Sequence, residues 1–458
     1  GSSGVDPARV VGVACSSQWS GTVPVDERGR PLMRAIIWMD SRGAEQVHRI
    51  TRGFPAVQGY GVGKLAAWVR RSGGAPGHSG KDTVAHILYV RDRLPDVYRR
   101  TAKFLEPRDW VNFQLSGRLA SSFDAATLLW ATDIRDVGAV RYDDHLLGIA
   151  GLDRDKLPEL VPTATVLGPL TPAAAAALGL PETAQVVSGA PDLMAAAIGA
   201  GTVADFDAHL HLGTSSWLVC HVPYKKTDLL HNLASVPSGI PGRYLLANEQ
   251  ESAGLCLAEL QRNLLYPPDG GGAAEDPYAA MLAMAAAVPA GSDGLIFAPW
   301  VNGERAPVDD RTVRGGFFNQ SLGVSRGHLV RAVLEGVAYN SRWLLRYVER
   351  FIGRRLEAIT AVGGGARSEL WCQIHADVLD RVVRQAADPV LASARGVALQ
   401  AWVALGRLRW DEVAGTVPIA RTFEPDPARR PVYDTLFPEF VNLYRSTRRI
   451  YARLNTQR

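Results

Sequence analysis

One aspartate and two glycine-bearing turns are the residues of this chain whose types and spacing could do chemistry. Asp192 lies in VVSGAPDLMAAAIGAGT (186–202), where a short β-branched run ends at Ser-Gly-Ala-Pro and an Ala-rich helix begins. A carboxylate at the mouth of a strand-to-helix turn can serve as a cap, because it accepts hydrogen bonds from the orphan N–H groups of the first turn and suits the helix dipole. It can equally accept a proton from a hydroxyl held beside it. About twenty residues on comes Gly213-Thr214-Ser215-Ser216, in HLHLGTSSWLVC, and much later Gly363-Gly364-Gly365-Ala366-Arg367-Ser368. Glycine lets the backbone approach a ligand closely, and successive N–H groups form a nest for phosphate oxygens. The Thr and Ser hydroxyls add uncharged donors. The second turn would aim a helix N-terminus at a ligand or let a flat base slide over bare backbone. Neither turn has the G-x-G-x-x-G or G-x-x-x-x-G-K-[ST] spacing, so Rossmann and P-loop readings are poor. Together the two turns fit a nucleotide between two domains, phosphates on 213–216 and nucleoside on 363–365, with Asp192 near the terminal phosphate.

The elements that must position these groups follow from pattern. Val10 to Cys15 reads as a strand leading into the polar turn Ser16 to Gly21. Thr22 to Val25 and Arg34 to Met39 flank DERGRP and predict a hairpin that delivers Asp40 and Arg42 just before a helix near Ser41. KLAAWVRRS, TVAHILYVRDRLPDVYRR and RDWVNFQLSG have helical periodicity. His209 to Leu212 and Trp217 to His221 predict paired strands around the GTSS turn. NEQESAGLCLAELQRNLL reads as one helix, GGGAAED as a flexible loop, PWVNGERAPVDDRTVRGGFF as a long functional loop, and Arg326 to Phe351 as a long amphipathic helix. Strand, small-residue turn and helix in VVGVACSSQ and again in TAVGGGARS hint at an internal duplication.

Composition narrows the classes. The chain has 458 residues, 47% hydrophobic and 21% charged, too long for one compact core, so two domains are expected with a boundary near 201–207. A net charge of +4 at this length does not point to nucleic acid or a membrane. The basic Tyr444 to Arg458 reads as a solvated helix face. No apolar run is long enough to span a bilayer and no N-terminal signal pattern is present. The four cysteines are scattered without metal spacing, which fits a reducing, cytoplasmic compartment. His209 and His211 share a strand face and could hold zinc, but no third ligand is nearby and packing is the simpler account.

Six stretches, SSQWSG with IIWMDSR, SGAPDLMAAAIGAG, LGTSS, VNGERAP, RAVLEGVAYN and GGGARSELWCQIHADV, occur in the order of a known family. The chain resembles the FGGY carbohydrate kinases, most of all their xylulokinase branch. The resemblance implies an α/β fold of the two-domain actin/hexokinase (ribonuclease H-like) type, with residues 1–203 binding the sugar, 204–458 binding nucleotide, and a ligand cleft between them. It implies Asp192 as catalytic base, Gly213, Thr214 and Ser215 on the ATP phosphates, and Gly364, Gly365 and Ser368 on the rest of the nucleotide. Gln18, Trp19, Asp40 and Arg42 would bind the sugar. ATP and Mg2+ are the implied cofactors, and a homodimer is left open.

The chain also departs from the family. Nothing before Val10 matches the opening Asp-x-Gly-Thr phosphate-loop hairpin, so the chain is expected to be incomplete at its N-terminus and a weak catalyst as written. Gln18-Trp19-Ser20-Gly21 stands where Gln-Met-His-Gly is common, and Leu193 where an amide is frequent; both bear on which sugar fits, since a lost buried polar contact changes specificity by about 1 to 3 kcal/mol. A kinase for a polyol, or for an aldonate paired with Arg42, and a non-catalytic actin-like binding protein remain as alternatives.

Overall fold

The computed structural model describes residues 4–267 and 275–455. Of the GGGAAED loop only Glu275 and Asp276 fall within them, and Asp276 caps the next helix by accepting the Ala279 N–H at 3.0 Å. The first half is built on a three-stranded sheet in which Gly12–Ser17 runs parallel to Gln185–Pro191, with Val166–Pro169 antiparallel on the far side. The second half is built on an eight-stranded sheet. At its centre Ala208–Leu212 pairs antiparallel with Ser216–Val222 on one side and parallel with Ala358–Val362 on the other. Parallel neighbours require a crossover, and the long helix Arg326–Ile352 precedes the Ala358 strand. Ser325 caps that helix together with His328, and Gly353 ends it at φ 70°. One face buries Tyr339 and Trp343, which meet Trp300, Tyr433 and Phe440 in an aromatic core.

Three local expectations change. The hairpin has only its first arm, Val23–Val25, and this strand pairs with Lys103–Leu105. The 34–39 arm meets it through the Thr22 and Ile36 backbones, which exchange bonds of 2.8 and 3.0 Å. Ile36 is the one buried residue of that arm, so a single anchor holds it. The helix expected from Asn248 begins only at Gly254, because Asn248 bonds the Leu218 main chain in both directions and Gln250 pairs with Ser216. Inside the long loop, Gly316–Phe318 forms a strand against Ile296–Ala298.

The expected strand, turn and helix unit is absent from its first location. After Gly12–Ser17 no helix follows; the chain turns at Ser20, φ 65°, and runs into Val23–Val25. Two helices from the two halves, Asp192–Gly199 and Ala392–Ala404, cross at Gly199 and Gly396. A Cβ on Gly199 would stand 1.8 Å from the Ala392 carbonyl oxygen, and a Cβ on Gly396 1.8 Å from that of Ala195. Only glycine permits this approach at either position. Ser393 reinforces the crossing by donating to the Asp192 carbonyl at 3.2 Å.

Candidate active site

Strand register brings the chemical groups together. Ser17 lies opposite Pro191 in the first sheet, which sets Gln18 and Asp192 side by side where both strands end. His211 lies opposite Val362 in the second, which does the same for the Gly213 and Gly363 turns. Ligands gather at the carboxyl ends of such strands.

Asp192 is the first helical residue, following Pro191, and does not cap: its Oδ1 accepts the N–H of the next residue, Leu193, at 2.8 Å. Burial pushes its carboxyl up to about 6, against the pull of the Leu193 N–H and with the negative charge of Glu249 adding to the rise. A base with a pKa just below neutrality is ionised at pH 7 and still basic enough to take a proton. The kcat/KM profile is therefore expected to lose about tenfold per pH unit below about 6. An ordinary aspartate would place that limb near about 4. A profile that stays flat down to about pH 5 would show that another group is the base.

The two turns are braced for a ligand. The Gly213 and Thr214 carbonyls accept the Gly254, Ala253 and Leu255 N–H groups at 2.8 to 3.2 Å, so the start of the Gly254–Leu260 helix supports the GTSS turn from behind. Thr214 is exposed, and Ser215 faces the cleft, where its hydroxyl meets Glu249. In the second turn Gly363 has φ 90° and a Cβ on it would sit 2.7 Å from the Leu212 carbonyl, so the fold itself demands glycine there. A Cβ on Gly364 would meet nothing within 4 Å: this glycine is bare backbone facing open space, as a flat base would need. Ser368 accepts the Trp371 N–H at 3.2 Å and caps the helix Glu369–Leu379 that leads away.

A cleft of about 640 Å³ brings together Gln18, Trp19, Asp192, Leu193, Ser215 and Trp217, while Gly213, Thr214, Gly364, Gly365 and Ser368 are not among its lining residues. The Trp19 indole donates to the Ala125 carbonyl at 3.2 Å, fixing its ring in the wall. Beyond Lys81, Asp82 and Arg305 the space continues into a larger one of about 1050 Å³ between the two halves.

Asp40 and Arg42 are not among the lining residues. Arg42 Nε donates to Asp40 at 2.8 Å and holds its carboxyl below the usual range, while the guanidinium lies over the Tyr89 ring. Their neighbour Trp38 reaches the cleft instead, between Lys81 at 5.7 Å and Arg305 at 5.4 Å. Trp38, Lys81, Asp82, Glu249 and Arg305 were not singled out from sequence, although Trp38 and Arg305 sit inside IIWMDSR and VNGERAP. Arg305 pairs with Glu249 and with Glu251, and Lys81 reaches Glu251 at 3.7 Å across the cleft. The buried Glu304, its carboxyl raised to about 7 by burial, shapes this loop by accepting the Glu251 and Arg305 N–H groups at 2.9 and 2.8 Å.

The His209/His211 pair organises Trp217 and not a metal. His209 Nε2 accepts the indole N–H at 3.0 Å, and the His211 ring stacks on the indole at 3.9 Å. Among the described residues no three His, Cys, Asp or Glu side chains are grouped to hold a metal ion, and no helix is long and apolar enough to cross a membrane.

A buried carboxylate raised to about 6 and the hydroxyl of a braced turn facing one cleft are parts that a group-transfer enzyme of the two-domain kinase type would use. Comparison gives the family: residues 1–199 match the N-terminal domain, and 208–405 the C-terminal domain, of the FGGY family of carbohydrate kinases, and the chain belongs to it. It is similar to the xylulose kinase of Staphylococcus epidermidis, 27% identical over 463 residues that cover 98% of this chain and 85% of the other. The gluconokinase of Bacillus subtilis is 25% identical, covering 97% and 84%. The solved xylulose kinase of Rhodospirillum rubrum superposes with a TM-score of 0.81 at 28% identity, covering 96% and 85%.

Proposed function

We propose that this carbohydrate kinase transfers the γ-phosphate of ATP, with magnesium, to a hydroxyl of a small sugar, a ketopentose such as xylulose. The observation that carries this reading is that Asp192, Ser215 and the Gln18-Trp19 pair face one cleft. Residues 1–203 then carry the acceptor and 204–458 the nucleotide. Gly213, Thr214 and Ser215 take the phosphates, Gly364 and Gly365 lie under the base and ribose, and Ser368 orients the adjoining helix. Asp192 accepts the proton as the acceptor oxygen bonds to phosphorus and the bond to the leaving oxygen breaks. Asp82, Asp192 and Glu249 are the carboxylates that line this cleft, and magnesium would bind through one or two of them plus phosphates. Gln18 and Trp19 form the wall around the sugar, with Asp40 and Arg42 holding the segment that presents Trp38.

An aldonate is the second reading, in which Lys81 and Arg305 of the cleft wall would exchange their Glu249 and Glu251 partners for its carboxylate. Arg42, engaged with Asp40, is not needed for it. ADP release measured against ketoses, aldoses, polyols and aldonates decides. One ketopentose far above the ATPase background is the expected result, and one aldonate far above it selects the second reading. Nucleotide binding without transfer to any acceptor would leave an actin-like binding protein.

A further inference from the structure

Among the segments of the first half that reach the cleft are Gln18–Ser20, Trp38 and Lys81-Asp82. Behind them lies a buried polar layer at the start of the helix Thr83–Arg93. Ser20 Oγ donates to the Lys81 carbonyl at 2.7 Å, and the Gly21 N–H donates to Glu106 at 2.8 Å. Glu106 is also 2.6 Å from the Thr83 hydroxyl. One turn further along the same helix face stands His86, which is 0% exposed. Its Nε2 is 3.2 Å from the Asp40 carbonyl and its Nδ1 is 3.1 Å from the Thr22 hydroxyl.

The chemistry of these partners fixes the ring. A carbonyl only accepts, so Nε2 carries the hydrogen. Burial pushes the imidazole down to about 4, so at neutral pH Nδ1 is bare and accepts from Thr22. His86 is thus held as one neutral tautomer between the segment that ends the Gln18 loop and the segment that presents Trp38. The other bridge between these segments is the Thr22 and Ile36 backbone pair, and the 34–39 arm has no further strand pairing to hold it.

We propose that His86 is a positioning residue for acceptor recognition, locking the Gln18–Thr22 loop to the Trp38–Asp40 segment so that the cleft wall keeps one width. This rests on the reading of the cleft as the acceptor site. His86 touches neither the cleft nor the nucleotide turns, so its loss acts on one substrate and not on both.

The test compares KM for the acceptor, KM for ATP, kcat and the thermal midpoint in three variants. His86→Leu removes both bonds, Thr22→Val removes only the hydroxyl, and His86→Gln keeps a donor for the Asp40 carbonyl. His86→Leu is expected to raise acceptor KM by about tenfold, and Thr22→Val by about threefold, with KM for ATP within about twofold of the parent. His86→Gln is expected to recover most of the loss. Lowered thermal midpoints with an unchanged acceptor KM, or equal rises in both KM values, would make His86 a purely structural residue and overturn the proposal. Should His86→Leu fail to fold, Thr22→Val and His86→Gln carry the same decision. The parent enzyme is the control: acceptor-dependent turnover there separates a failure of this inference from a failure of the kinase reading, while its absence for every acceptor overturns both.

Discussion

Asp192→Asn is expected to lose roughly 10²- to 10⁴-fold in kcat, about 3 to 5 kcal/mol in the barrier, while folding at least as well as the parent. The amide oxygen can still accept the Leu193 N–H that Oδ1 accepts now, so the helix start is preserved. Stability should rise. The folded-state pKa of Asp192 is raised from 3.8 to about 6, so the unfolded chain ionises more readily than the folded one. The stability this group contributes is therefore present below about 3.8 and lost as pH rises through about 6, up to about 3 kcal/mol at pH 7. Asparagine does not titrate and avoids that loss. A urea midpoint equal to or above the parent's, together with lost turnover, identifies a carboxylate kept at a cost in stability because the reaction needs it. Turnover at the parent rate would remove Asp192 from catalysis.

Gly396→Ala carries the second large effect, read as a loss of stability. The added methyl would have to occupy space 1.8 Å from the Ala195 carbonyl oxygen, and the obstacle is helix backbone that cannot swing aside as a side chain could. Overpacking of this kind costs typically 1–3 kcal/mol and more where backbone must move, so a loss of about 3 kcal/mol is expected in urea unfolding. Gly364→Ala is the matched control, because nothing stands within 4 Å of its Cβ position. It should fold like the parent. Equal midpoints for Gly396→Ala and the parent would mean that the helices do not meet as closely as the structure places them.

Legibility of the site in the sequence followed how local each feature is. Asp192, GTSS and GGGARS are strand ends and turns, written by contiguous residues with recognisable turn chemistry, and the register of two parallel strand pairs sets Asp192 beside Gln18 and the GTSS turn beside the GGGARS turn. The long Arg326 helix was equally plain, with its capping serine and terminal glycine. Lys81, Trp38, Glu249 and Arg305 could not be read in this way, because each reaches the cleft from a different segment and from opposite halves. Asp40 and Arg42 show the converse: the resemblance implied a place on the sugar, while their closeness in sequence allowed a local salt bridge, and side chains two apart on a turn satisfy each other. NEQES was read as helix from its composition, but Asn248 and Gln250 spend their hydrogen bonds on the neighbouring strand. The need for glycine at 199 and 396 is visible only once two helices nearly two hundred residues apart are seen to touch.

That contact also governs how the halves can move. Where two backbones meet with no side chains between them, sliding one helix along the other drives a carbonyl into the opposing chain, whereas turning about the point of contact does not. Gly199 and Gly396 would thus act as a bearing, and any opening of the cleft would be a rotation centred on it. Displacement in a rotation grows with distance from the axis. Asp192 lies seven residues from Gly199 along a single helix, about 10 Å, so its carboxylate would barely travel while the outer walls carrying Trp38 and Arg305 would swing.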